Sequence, residues 1–378
     1  MILTNAQIIL KDEVISGTLQ IIDGLIHSVS QEKSNLSAAI DCKQNYISAG
    51  MVEMHTDNME KYFSPRPGVL WPATSAFKAH DSQMISAGIT TVFDAVSVGD
   101  VVQGSARLSN LTAMVSALTD SQKRKFTRAD HLLHLRCEVS HQQTLEMFNT
   151  LSQEFNPQLV SVMDHSPGQR QFADIKKYRE YYQGKYRLSD QELENFIIRQ
   201  CEASSLYSDE YRQKICVYCA EHNIPLASHD DATQEHVEES LAYGMSIAEF
   251  PTTQVAATVA HQRGMKVLMG APNVVRNGSH SGNVAAHQLA SENVLDILSS
   301  DYYPNSLLDA AFAVAALESN TYDLAKAMTL VTFNPAQAVG LTDRGVIEQG
   351  KIADLVICRQ ENDHIDIQHV YKAGQRVF

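Results

Sequence analysis

GMVEMHTDNMEKYFSPRP, residues 50–67, begins apolar and ends among polar and turn-forming residues. Residues two apart on a strand share a side. His55 and Asp57 therefore project together at the end of this run, with Glu53 in phase below them. A His and an Asp on one face of an otherwise buried strand cost several kcal/mol unless they are paired or hold an ion. The question for the rest of the chain is whether other strands end the same way.

They do. Seven further apolar runs follow: GITTVFDAV (88–96), LLHLRCEVS (132–140), LVSVMDHS (159–166), IPLASHDD (224–231), SIAEFPTT (246–253), KVLMGAPNVV (266–275) and DILSSDYYP (296–304). Helical patterns separate most of them, for example over 105–122, 232–243, 254–263 and 306–318. Strand-then-helix units in this number predict an α/β fold, a closed parallel (β/α)8 barrel of the TIM type. Residues 1–49 read instead as short strands with turns, and Asp23-Gly24 between apolar runs is a hairpin signal. Residues 345–378 read the same way, so both termini are expected to build one small β-sandwich domain, leaving 50–344 as the barrel. A Tyr- and Lys-rich stretch, KKYREYYQGKYRL, opens an insertion at about 174–222, after the fourth run.

Barrel active sites lie at the C-terminal ends of the strands. Those ends carry His55 and Asp57, Asp94, Glu138, His165, His229 to Asp231, Glu249 and Asp301. Neutral imidazoles with carboxylates suit a divalent cation. The candidate metal ligands are His55, Asp57, Glu138, His165, His229 and Glu249; Asp94 is the weakest member and reads equally as a loop cap. One or two ions are expected, from among Zn, Mn, Mg and Fe. The loop GAPNVVRNGSHSGN (270–283) adds small residues with Arg276, Ser279, His280 and Asn283. Small residues free backbone N–H groups and Arg grips phosphate bidentately. Arg66, Arg170 and Lys185 recur on loops of the same face, which favours an anionic substrate; a polar loop without a ligand remains the alternative.

The whole chain is acidic, with a net charge of -14, so no basic face for nucleic acid is implied. No run approaches the roughly 20 apolar residues that span a bilayer, and the N-terminus lacks the pattern of a signal peptide. The six cysteines are scattered and read as reduced, so a cytoplasmic location is expected. Cys216-x-x-Cys219 reads as a buried core pair, because no second pair completes a zinc site. A homo-oligomer is compatible with all of this.

These blocks resemble a known family. The first run GMVEMHTD, a His ending strand five, an Asp ending strand eight and the terminal GVIEQGKIADLVI resemble the amidohydrolase superfamily. HTDNMEKYFSPRP, MDHSPGQRQFA, YREYYQGKY, ASHDDAT, AEFPTT, GAPNVVRNGSHSGNVAA and LSSDYYP resemble, end to end, its ribosyl triphosphate diphosphatases of the carbon–phosphorus lyase pathway. The resemblance implies a divalent-metal hydrolase that converts α-D-ribose 1-methylphosphonate 5-triphosphate to the 5-phosphate and diphosphate. It implies Asp301 as general base toward a cation-activated water. Departures from the wider pattern are Asp57 and Glu249 at positions that usually hold His, and no Lys ending strand four for a carboxylated bridge. The replacements are hard anionic ligands, which argues for an altered site and not a lost one. Cleavage of a C–N bond in a small anionic substrate, and a non-catalytic binding subunit, remain as alternatives.

Overall fold

The computed structural model describes residues 1–66, 68–100, 106–279, 281–318, 321–362 and 364–378. His280 therefore lies outside the described residues.

The first five strands are β1 (Ile2–Ile9), β2 (Val14–Ile22), β3 (Leu25–Ser30), β4 (Ile40–Asp41) and β5 (Tyr46–Ala49). Next come β6 (Met51–Thr56), β7 (Ile89–Val98), β8 (Asp130–Glu138), β9 (Leu159–Met163), β10 (Leu226–His229), β11 (Ile247–Glu249), β12 (Lys266–Gly270) and β13 (Ile297–Ser299). The last are β14 (Leu355–Glu361), β15 (His364–Lys372) and β16 (Gln375–Arg376).

The terminal strands form one mainly antiparallel sheet in the order β16-β15-β14-β5-β1-β2-β3, with β4 beside β1. Ile22 pairs with Leu25 across the two-residue turn Asp23-Gly24. Both turn residues have left-handed φ, +50° and +80°, as the tight hairpin twist demands. Inward-facing Leu3, Ile8, Leu19, Ile26, Ile47, Leu355 and Ile357 supply this sheet's core.

The eight middle strands form a second sheet in chain order, from β6 to β13, with β6 parallel to β7 and β8 through β12 parallel each to the next. Its ends meet: Thr56 bridges Asp301, the Asp57 N–H donates to the Asp301 carbonyl at 3.0 Å and the Asp301 N–H to the His55 carbonyl at 3.1 Å. This is the expected parallel barrel. Its strands are buried on both faces, which is why they read as nearly continuous apolar runs. Helices follow the strands, and the polar strand-end segments carry their caps. Thr233 accepts the His236 N–H and opens Gln234–Ala242; Thr253 accepts the Ala256 N–H and opens Gln254–Gln262. The insertion after β9 is two helices, Ile175–Tyr186 and Asp190–Glu221, the second started by a capping box between Ser189 and Glu192. Cys216 and Cys219 are buried on that helix with free thiols.

By compactness the chain divides into two units. One comprises residues 1–94, 117–132 and 269–378, the other 95–116 and 133–268. The first holds the whole terminal sheet with β6 and β13; the second holds β9, β10 and β11. No helix among the described residues is long and apolar enough to cross a membrane.

Candidate metal centre

In the second unit, Glu138 ends β8, His229 ends β10 and Glu249 ends β11, while His165 stands two residues past β9. His165 Nδ1 is 2.6 Å from Glu138 Oε2, and the His165 N–H donates to Glu138 Oε1 at 3.1 Å. The Ser140 hydroxyl donates to the same Oε1 at 2.7 Å. His229 Nδ1 is 2.7 Å from Glu249 Oε2. Each imidazole is thus held at Nδ1 by a carboxylate, leaving Nε2 for another partner. Both Nε2 atoms face one oxygen: Asp230 Oδ2 is 3.6 Å from His165 Nε2 and 3.5 Å from His229 Nε2.

Two donors bound at about 2.1 Å to one cation stand about 3.0–3.4 Å apart. The spacing among His165, His229 and Asp230 is therefore close to that of a ligand set, and too long for direct hydrogen bonds. Imidazoles held by carboxylates through their far nitrogen are the usual arrangement behind a bound metal. The electrostatics agree. Burial opposes charge on His165, but Glu138 and Asp230 outweigh it and lift its pKa to about 10. Burial likewise works against the Asp230 carboxylate, yet His229 and His165 hold its pKa below the ordinary value. The carboxylates that raise His165 are the negative charge a divalent cation would meet at its Nε2.

The first unit carries a second group of this kind. Ligand atoms of His55, Asp57 and Asp301 lie within 4.8 Å of one another, and His55 Nε2 is 3.8 Å from Asp57 Oδ1. Glu53 sits beneath them: it accepts the His55 N–H at 2.7 Å and the Ser300 N–H at 2.6 Å. Burial raises its pKa to about 7 despite those bonds. Asp301 is fixed by its backbone, and the Thr56 hydroxyl donates to its carbonyl at 2.9 Å.

A third cluster, also in the first unit, differs in kind. His80 Nε2 is 2.5 Å from Asp94 Oδ1, His131 Nδ1 is 2.7 Å from Asp94 Oδ2, and His131 Nε2 is 3.3 Å from Asp81 Oδ1. These lengths place a proton, not an ion, between the partners. Asn58 Nδ2 is 2.9 Å from His80 Nδ1, so the chain of contacts runs from the residue after Asp57 to Asp81. Desolvation disfavours charge here too. Nevertheless Asp94 is held at about 2 by the two imidazoles, and His131 is raised to about 9 by Asp94 and Asp81.

The remaining candidates are dispersed. Arg66 and Arg276 are exposed, and Arg276 Nη1 lies 3.4 Å from the Tyr302 hydroxyl. Lys185 is exposed on the insertion, with Nζ 3.2 Å from the Tyr181 hydroxyl. Ser279 and Asn283 are half-buried. The stretch after β12 is a short helix, Ala271–Val275, where a loop was expected; Pro272 is tolerated in its first turn. Arg170, expected among the cations that would meet an anionic substrate, is buried, with its guanidinium on Asp231 and Glu239.

Asp230 is the residue that strand alternation discounts, since neighbours on a strand point to opposite sides. The structure ends β10 at His229 and turns Asp230 to φ +58°. Phe250 and Asp301 leave β11 and β13 the same way, at φ +55° and +56°. Asp and Asn enter this region more readily than most residues. The doublet Asp230-Asp231 after a strand-end His was the one available signal. His80 and His131 gave none, being a helical and a strand His without spacing to a partner.

Comparison with known proteins matches this architecture. An amidohydrolase family model covers residues 82–378. A curated relative from Escherichia coli (strain K12), alpha-D-ribose 1-methylphosphonate 5-triphosphate diphosphatase, is 53% identical over 378 residues, covering 100% of both chains. Among solved structures, N-acetyl-D-glucosamine-6-phosphate deacetylase from Mycobacterium smegmatis aligns with TM-score 0.64 at 16% identity, over 100% of both chains. The 5-methylcytosine deaminase from Klebsiella pneumoniae aligns with TM-score 0.63 at 16% identity, over 100% of this chain and 98% of that one. The structural likenesses carry the fold alone, whereas the family match and the end-to-end relative carry descent: this chain belongs to the amidohydrolase family.

Proposed function

We propose that this protein hydrolyses α-D-ribose 1-methylphosphonate 5-triphosphate, releasing diphosphate and leaving the 5-phosphate. The observation that carries the reading is the 53% identity, over the full length of both chains, to the Escherichia coli diphosphatase of that name. In this reading the barrel of residues 50–344 does the chemistry, residues 1–49 and 345–378 form the supporting β-domain, and the enzyme works in the cytoplasm.

His165, His229 and Asp230 would hold one divalent cation, and His55 and Asp57 offer a second candidate pair with the Asp301 carboxylate beside them as base. The donor set of imidazole and carboxylate fits Zn, Mn or Fe, with Mg a weaker fit because two of the donors in the first set are nitrogens. Bound there, a divalent cation would supply Lewis acidity toward a phosphoryl oxygen and toward water. The protein does the rest. Glu138 and Glu249 fix the two imidazoles with Nε2 outward. The Asp301 carboxylate takes a proton from the attacking water; its Oδ2 lies toward Gly270, whose missing side chain leaves the space beside it open. Water adds to phosphorus, the anhydride P–O bond to the outer two phosphates breaks, and diphosphate departs with its charge. Arg276, Arg66 and Lys185 are exposed cations and candidates for the triphosphate. Incubating the purified chain with the triphosphate and following products by ³¹P NMR tests the proposal. Diphosphate with the ribosyl 5-phosphate is the expected pair. An inert substrate, or orthophosphate released stepwise, rejects it.

A further inference from the structure

Two buried arginines in the second unit are engaged with protein groups and not with a solvent-facing pocket. Arg170 Nη1 donates to Asp231 Oδ1 and, at 3.1 Å, to the His236 carbonyl; Nη2 donates to Glu239 Oε2 at 2.5 Å. Arg212 Nη1 donates to Glu239 Oε1 at 3.1 Å, and its Nη2 lies 3.6 Å from Asp164 Oδ2. The ion pairs thus run unbroken: Asp231, Arg170, Glu239, Arg212, Asp164. Both ends of that chain adjoin the ligand set in sequence. Asp164 precedes His165, and Asp231 follows Asp230.

Each end also clamps its own loop. Asp164 Oδ1 accepts the Ser166 N–H at 3.1 Å, closing a turn around His165. Asp231 Oδ2 accepts the Ser228 hydroxyl at 2.6 Å, and the Asp231 carbonyl accepts the Thr252 N–H at 2.9 Å. Arg170 itself is at φ +43°, a backbone state a non-glycine residue keeps only when its surroundings impose it. A guanidinium removed from water and committed through both Nη atoms to carboxylates has little left for a phosphate.

We infer that Arg170 and Arg212 are positioning residues for the cation site: through Asp231, Glu239 and Asp164 they lock the loops after β9 and β10 at the separation that His165, His229 and Asp230 need. This inference rests on the metal reading of those three residues. Loops that carry ligands require such support, because a cation set is sensitive to shifts well under an ångström.

The test is Mn²⁺ binding by the metal-stripped full chain, alongside steady-state kinetics at saturating Mn²⁺, for wild type, Arg170→Gln, Arg170→Lys and Asp231→Asn. Positioning predicts Mn²⁺ affinity about 10- to 100-fold weaker in Arg170→Gln. It also predicts partial recovery in Arg170→Lys and a KM for the triphosphate within about twofold of wild type once metal is saturating. The double variant Arg170→Gln/Asp231→Asn should lose less than the two single losses combined, as expected of residues in one network. If Arg170→Gln does not fold, Glu239→Gln, whose side chain is 39% exposed and joins both arginines, takes its place with the same expectation. A KM raised tenfold or more with unchanged Mn²⁺ affinity would make Arg170 a phosphate contact and overturn the inference. Unchanged affinity and kinetics in every variant would overturn it as well, leaving the network purely structural. Wild-type protein that binds no Mn²⁺ would overturn it together with the metal reading.

Discussion

Replacing Glu138 by Gln separates an orienting carboxylate from a direct ligand. Glu138 meets three donors: His165 Nδ1 at 2.6 Å, the His165 N–H at 3.1 Å and the Ser140 hydroxyl at 2.7 Å. A carboxylate satisfies all three, whereas Gln keeps the shape with one acceptor oxygen and an NH₂ group. With the NH₂ toward His165, Nδ1 must become the acceptor, so Nε2 carries the proton and cannot take a cation. With the oxygen toward His165, the imidazole keeps its tautomer but loses the charge that makes it basic, and two donors on the other side face an NH₂. Either way the loss should match other substitutions behind a ligand, about 10- to 100-fold in metal affinity, or about 1.4–2.7 kcal/mol. Calorimetric titration of the stripped variant with Mn²⁺ measures it, with the thermal midpoint as a check on folding. Unchanged affinity would refute the orienting role. Loss of a whole equivalent of bound metal would make Glu138 a ligand in its own right.

Asp301→Asn should lower kcat by about 10²–10⁴-fold with metal content retained, since Asn also tolerates the φ of +56° found there. Loss of bound metal would make Asp301 chiefly a ligand of the His55 and Asp57 set. Arg276→Ala should weaken binding of the triphosphate about tenfold or more and leave a neutral ribosyl compound almost unaffected, at roughly 1.5–3 kcal/mol for a charged hydrogen bond. Equal effects on both ligands would leave Arg276 without a substrate role. The His131–Asp94 pair predicts a pH signature in stability. A histidine raised from 6.5 to about 9 stabilises fully below about pH 6.5, and that contribution fades as pH rises through 9; Asp94, lowered from 3.8 to about 2, contributes above about pH 4 and fails as pH falls through 2. The stability advantage of wild type over Asp94→Asn, followed by the thermal midpoint, should therefore be largest between about pH 4 and 6.5 and shrink by pH 9. A gap independent of pH would contradict it.

The barrel was legible because buried parallel strands leave long apolar runs, and because His55, Glu138, His229 and Glu249 end theirs where a polar residue has no packing reason to be. The Asp23-Gly24 turn was legible for a local reason, the positive φ that its two residues tolerate. What lay beyond the sequence was the direction and partner of each side chain. Glu138 and His165 are named easily as one constellation, yet only geometry puts the carboxylate on Nδ1 and leaves Nε2 open. Asp230 stood among the strand-end residues without being assigned as a ligand, because a single left-handed residue cancels the alternation on which face assignment depends. Arg170 carries the composition of an anion-binding loop, but burial and two carboxylates more than sixty residues away in sequence decide its company. Such long-range pairings leave no periodic trace.

A metal titration of activity tests the reaction and the cation site together. The chain is stripped of metal, Mn²⁺ is added back in steps, and diphosphate released from α-D-ribose 1-methylphosphonate 5-triphosphate is measured at each step. Stripped protein should show no turnover, and diphosphate should rise to saturation at one or two equivalents, with Asp230→Asn failing to follow at the same concentrations. Full diphosphate release from rigorously stripped protein would refute the metal site, and metal-saturated protein that leaves the triphosphate intact would refute the reaction.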